Sequence, residues 1–107
     1  MTAHNRMLAE LLLLISGLPA LVREAVSGLD DDEEAEVLER ILPDAEAAGA
    51  MLADSDALPF QPVGNMLRRL RDLVDLSPAT AAKLVRYECI FRRCRDADAH
   101  HQLFPAR

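Results

Sequence analysis

The chain contains no tryptophan, and its only aromatic residues are Phe60, Tyr87, Phe91 and Phe104. Sheet cores draw on aromatic and β-branched side chains, whereas an apolar content made mostly of Leu, Ala, Val and Ile favours helices. Cysteine is also scarce. Cys89 and Cys94 are the only two, and on one helix their Cα atoms would stand about 8 Å apart, outside disulfide reach. Their spacing matches neither a zinc ribbon nor a zinc finger, so no metal is expected, and His100 and His101 read as solvated tail residues. Two unpaired thiols suit a reducing cytoplasm. Missing too is any uncharged run near the ~20 residues that a membrane-spanning helix needs. A signal peptide is not expected either, because Glu10 interrupts the apolar stretch after Arg6 and the amphipathic pattern continues past Gly17 and Pro19. There is no glycine-rich phosphate loop, and Ser16, Ser27, Ser55 and Ser77 lack a neighbouring histidine. No catalytic residue and no cofactor is assigned, and the chain is read as a non-enzyme.

What the chain does have is 107 residues, half of them hydrophobic, enough for one domain with its own core. Its net charge of -6 is unevenly distributed. The acidic half, residues 1–59, carries three bases (Arg6, Arg23, Arg40) against thirteen acids, a net of -10. The basic half, residues 60–107, carries nine bases against five acids, a net of +4. Such halves can complement each other within one molecule, across a dimer or toward other partners.

Apolar spacing sets the elements. Leu8, Leu11, Ile15, Leu18, Val22, Ala25 and Leu29 alternate by three and four residues, the seam of a helix packed lengthwise on another. Asn5 is the expected N-cap. Pro19 interrupts the seam without shifting its phase, so a kinked helix and two stacked helices fit equally. Asp30 with Glu33 resembles a capping box opening a second arm, in which Leu38, Leu42, Ala45, Gly49 and Leu52 continue the spacing across Pro43. Small residues there would admit another helix closely. Residues 54–65, with Pro59, Pro62 and Gly64, read as a proline-rich corner anchored by Leu58 and Phe60. Val63, Met66, Leu67, Leu70, Leu73 and Val74 then define an amphipathic helix. Ser77-Pro78 opens a last long helix striped by Leu84, Tyr87, Phe91 and Cys94, with a frayed tail toward Pro105. The fold expected is all-α, a small helical bundle of four to six helices with proline-kinked arms.

From Met66 to Val85, Leu70, Val74, Leu76, Ala81 and Leu84 occupy apolar positions that resemble those of a helix-turn-helix DNA reader, with Leu76 to Val85 similar to its turn and recognition helix. Arg71 stands where that family keeps a small residue, and Asp75 where it favours glycine. The resemblance implies base contacts by Ala79, Thr80 and Lys83, and phosphate contacts by Arg68, Arg69 and Arg86. The main expectation is different. The run Leu11 to Ile15 exceeds what one seam buries, so a surplus face centred on Leu12 to Leu14 calls for a second chain. The interface expected comprises Leu8, Leu11, Leu12, Leu14, Ile15, Leu18, Leu21 and Val22. It would support a homodimer, or an antiactivator-like binder that sequesters a transcriptional regulator, with DNA binding through residues 66–86 as the alternative.

Overall fold

Asp30 and Ser77 set two of the helix starts by the same chemistry. Asp30 Oδ1 accepts a hydrogen bond from the Glu33 backbone N–H at 2.8 Å, and Ser77 Oγ accepts from the Thr80 N–H at 3.2 Å. Each side chain thereby satisfies a helix N–H that has no partner in the preceding turn. The Glu33 N–H also holds the Asp30 carboxyl below its ordinary range.

The computed structural model describes residues 3–54, 58–73 and 76–103. They form four helices and no strand: α1 (Ala3–Val26), α2 (Asp31–Asp54), α3 (Phe60–Arg71) and α4 (Pro78–Leu103). The fold is therefore an all-helical bundle. The expected apolar position Val74, the turn residue Asp75, Ser55 and the tail from Phe104 lie outside the described residues.

Three details differ from the sequence reading. Helix α1 begins at Ala3, which places Asn5 inside its first turn instead of at its cap. At Pro19, where one helix and two fitted the sequence equally, α1 runs on as a single helix, and α2 likewise continues through Pro43 rather than being interrupted there. Half of the expected corner is helical, because α3 starts at Phe60. Pro62 falls in its first turn, where a missing N–H costs nothing.

Helix α1 lies antiparallel to α4 along most of its length. Cys94 Sγ donates to the Met7 carbonyl at 3.6 Å near one end, and Lys83 Nζ meets Glu24 Oε2 at 2.9 Å near the other. Between them Gly17 admits Tyr87: a Cβ at Gly17 would collide with the phenol oxygen and stand 3.1 Å from Cζ. Helix α2 leans on α3, where Asp44 accepts from Asn65 at 3.3 Å and faces Arg69 at 3.6 Å. Helix α3 in turn packs on α4, with Phe60 and Phe91 edge to face at 5.9 Å.

The core sits where α1, α3 and α4 meet. Helix α1 contributes Met7, Leu11, Leu14, Leu18, Leu21 and Ala25, flanked by Val22 and Val26. Helix α3 contributes Val63, Met66, Leu67 and Leu70, and α4 contributes Leu84, Phe91 and Cys94. Four residues of the expected α1 seam, Leu11, Leu18, Val22 and Ala25, are buried, but Met7, Leu14 and Leu21 join them while Leu8, Ile15 and Leu29 are only half-buried. Helix α2 packs on α3 and adds to the same core from one side. Its buried residues are Ile41 and Ala48, and it is not closely packed on α1. The molecule measures 53 × 28 × 19 Å, and its thinnest dimension is about two helix diameters.

Candidate functional site: an apolar groove between α1 and α2

Because α1 turns to α4 and α2 turns to α3, the two leave a groove between them of about 680 Å³. Ile15, Leu18, Pro19 and Val22 form one wall, and Leu38, Leu42, Ala45 and Leu52 the other, with Met66 of α3 at the floor. Among the described residues, Arg23 and Glu39 are the only ionisable ones lining it. Leu42 is 54% exposed and Leu38 39%, large apolar side chains left in water at the mouth. Covering a leucine that is half exposed is worth about 1 kcal/mol.

The structure divides the sequence-expected interface in two. Leu11, Leu14, Leu18 and Leu21 are buried in the chain's own core at 3% exposure or less. Leu18 and Val22 nevertheless border the groove, and half-buried Ile15 joins them. Leu8 is half-buried against Met7, Leu11 and Cys94. Leu12 is 52% exposed, and it lies on the α1 face that continues to Pro19 and Arg23 at helical spacing. Leu13, placed by the sequence on the surplus face though not named in the interface set, is at 73% the most exposed leucine among the described residues. The whole opposite wall was missed as a site. Its spacing was visible, but it reads identically whether the seam packs inside the chain or outside it.

Of the six residues implied by the helix-turn-helix resemblance, Ala79, Lys83 and Arg86 fall at helical spacing on one exposed face of α4, while Thr80 and Arg69 turn elsewhere. Arg69 turns to Asp44 of α2. Thr80 is buried, and its hydroxyl accepts from Ser77 at 2.9 Å and donates to Glu24 Oε1 at 3.0 Å. Lys83 closes on the second oxygen of the same carboxylate. These contacts to Lys83 and Thr80 hold the Glu24 carboxyl below its ordinary range. Arg68 instead borders a small hollow with Arg71, Arg92 and Arg95 around Glu88, and Arg71 pairs with Glu88 at 3.3 Å. Ala79 and Arg86 are exposed.

The two thiols sit in different surroundings. Cys89 is exposed and unbonded to Cys94, while burial, with the Glu10 charge nearby, pushes the Cys94 thiol upward. Among the described residues no group of three His, Cys, Asp or Glu could hold a metal ion. No described helix is long and apolar enough to cross a membrane.

An all-helical bundle with one side open to a long apolar groove is the class that these observations define. No protein-family model, no curated protein and no solved structure matches the chain.

Proposed function

We propose that the chain is a non-enzymatic regulatory binder that takes a helix of another protein into the groove between α1 and α2. The observation that carries this reading is the groove, whose walls are two helices and whose mouth holds the exposed Leu38 and Leu42. Helix-in-groove recognition needs such a trough, filled by apolar anchors spaced three and four residues apart. A catalytic site instead gathers several polar and titratable groups around its substrate, and among the described lining residues Arg23 and Glu39 alone do not provide that set.

Bends at Pro19 and Pro43 would hold the two walls apart. Proline lacks the N–H that would bond the carbonyl four residues earlier, and those carbonyls belong to Ile15 and Glu39, both at the groove. In this reading the partner is a transcriptional regulator sequestered in the cytoplasm. That target rests on likeness of size and class to small acidic antiactivators. Self-association through Leu12 and Leu13 belongs to the same proposal as a secondary contact, since two side chains make a small patch. The DNA-binding alternative has less in its favour, because Thr80 and Lys83 direct their polar atoms at Glu24.

The test is affinity capture from lysate of the source cells with the wild-type chain and with Leu42→Glu, scored for protein and nucleic acid. A stoichiometric protein lost on Leu42→Glu is the expected result. Capture of no protein, or of one indifferent to Leu42→Glu, overturns the reading. Salt-sensitive retention of nucleic acid, lost when Arg68, Arg69, Lys83 and Arg86 become Ala, would establish the alternative instead.

A further inference from the structure

We propose that the helix accepted by the groove is basic along one flank, with lysines or arginines set against Asp32, Glu39 and Glu46 of α2. This rests on the groove being a helix-binding site and adds the chemistry of the occupant.

Leu38, Leu42, Ala45, Gly49 and Leu52 are separated by four, three, four and three residues, which is the seam of a heptad. A seam has two flanks. On the inner one stand Ile41 and Ala48, both buried. On the outer one stand Asp32, Glu39 and Glu46, seven residues apart and all exposed. Glu39 lines the groove, and the other two lie one heptad before and after it. In paired helices this flank is where charge selects the partner.

The three acids are unmatched. None forms a salt bridge among the described residues, whereas Glu24, Glu36, Asp44 and Glu88 all do, with Lys83, Arg40, Arg69 and Arg71. Their mutual spacing of about 10 Å along the helix exceeds the ~8 Å screening length at physiological salt, so the row is tolerated without a partner. Across the groove, Arg23 is a lone cation that also lacks a salt bridge among the described residues. A docked helix therefore meets three acids on one side and one base on the other, which fixes its rotation about its own axis. From Ala35 to Leu52 the α2 wall is about 25 Å long, room for four to five helical turns.

A second copy of the chain fits less well. Two-fold pairing through the groove brings both copies' acid rows into one interface against only two arginines. The chain's own basic helices, α3 and α4, already turn their apolar faces inward. A small apolar ligand would leave the acids without a counter-charge.

The test uses two synthetic 18-residue helical peptides with an identical leucine seam, one carrying lysine and the other glutamate on a single flank. Their affinities for the full chain are measured by fluorescence anisotropy, with sedimentation of the peptide-free chain alongside. The lysine peptide is expected to bind about tenfold tighter at low salt, a preference that shrinks as salt is raised. In Glu39→Lys/Glu46→Lys, exposed changes that leave the fold intact by circular dichroism, the preference should invert. Equal binding of both peptides, abolished by Leu42→Glu, overturns the charge inference and leaves the groove reading standing. Binding of neither peptide overturns both. A peptide-free dimer dissociated by Leu42→Glu would make a second copy the occupant and would also overturn the inference.

Discussion

Single residues decide how closely the helices meet. Gly17 lets α1 approach the Tyr87 ring, so Gly17→Ala sets a helix-propensity gain of up to about 1 kcal/mol against an overpacking cost of about 1–3 kcal/mol. Net destabilisation is expected in denaturant melts. In a Tyr87→Phe background, which removes the colliding oxygen, most of that loss should disappear, and a double-mutant cycle checks the coupling. Glu24 carries a pH signature. Its folded-state pKa lies below the ordinary value of 4.5 because Lys83 and Thr80 favour the carboxylate. Its contribution is therefore complete above pH 4.5 and is lost as pH falls through the lowered value. Glu24→Gln should be less stable than wild type at pH 7, with the difference shrinking as pH falls below 4.5 through the lowered value, as read by urea midpoints. Neither contact was legible in the sequence, since Gly17 and Tyr87 are seventy residues apart and read as a helix break and a core stripe.

The helices differ in how much of themselves they bury. Helix α1 has an apolar seam shared among α4 and α3, while α2 is held by Ile41 and Ala48 and by the Asp44 contacts to Asn65 and Arg69. Local stability follows buried contact. Amide hydrogens of residues 35–52 are expected to exchange well before those of 7–26 and 84–94 when peptic fragments are followed by mass spectrometry. Sequence periodicity located α2 and its start at Asp30, because capping and spacing are local properties. For α1 it placed Leu11, Leu18, Val22 and Ala25 inside correctly but missed Met7, Leu14 and Leu21. Leu11 to Leu14 supply apolar side chains in several phases, so two seams fit equally and tertiary contact alone selects Met7-Leu11-Leu14-Leu18-Leu21. The start of α3 was misread for a related reason, since prolines that end a helix also fit its first turn.

At the scale of the whole molecule, the opposed charge of the two halves is partly used within the chain. Glu24 with Lys83, Asp44 with Arg69 and Glu10 with Arg93 each join an acid of the first half to a base of the second. Among the described acids without a salt bridge, Asp32, Glu39 and Glu46 form a row on the outer flank of α2, beside the groove between α1 and α2. The sequence shows both the acidic excess and the heptad of α2, but the groove exists only because α1 and α2, adjacent in the chain, pack on different partners. Hydrogen exchange of the full chain with and without saturating lysine-flanked peptide tests this arrangement most directly. Slowed exchange confined to residues 35–52 and 12–23, the two walls of the groove, is the result expected. Protection on the exposed basic face of α3 and α4 instead, or no protection in either wall despite measured binding, would contradict it.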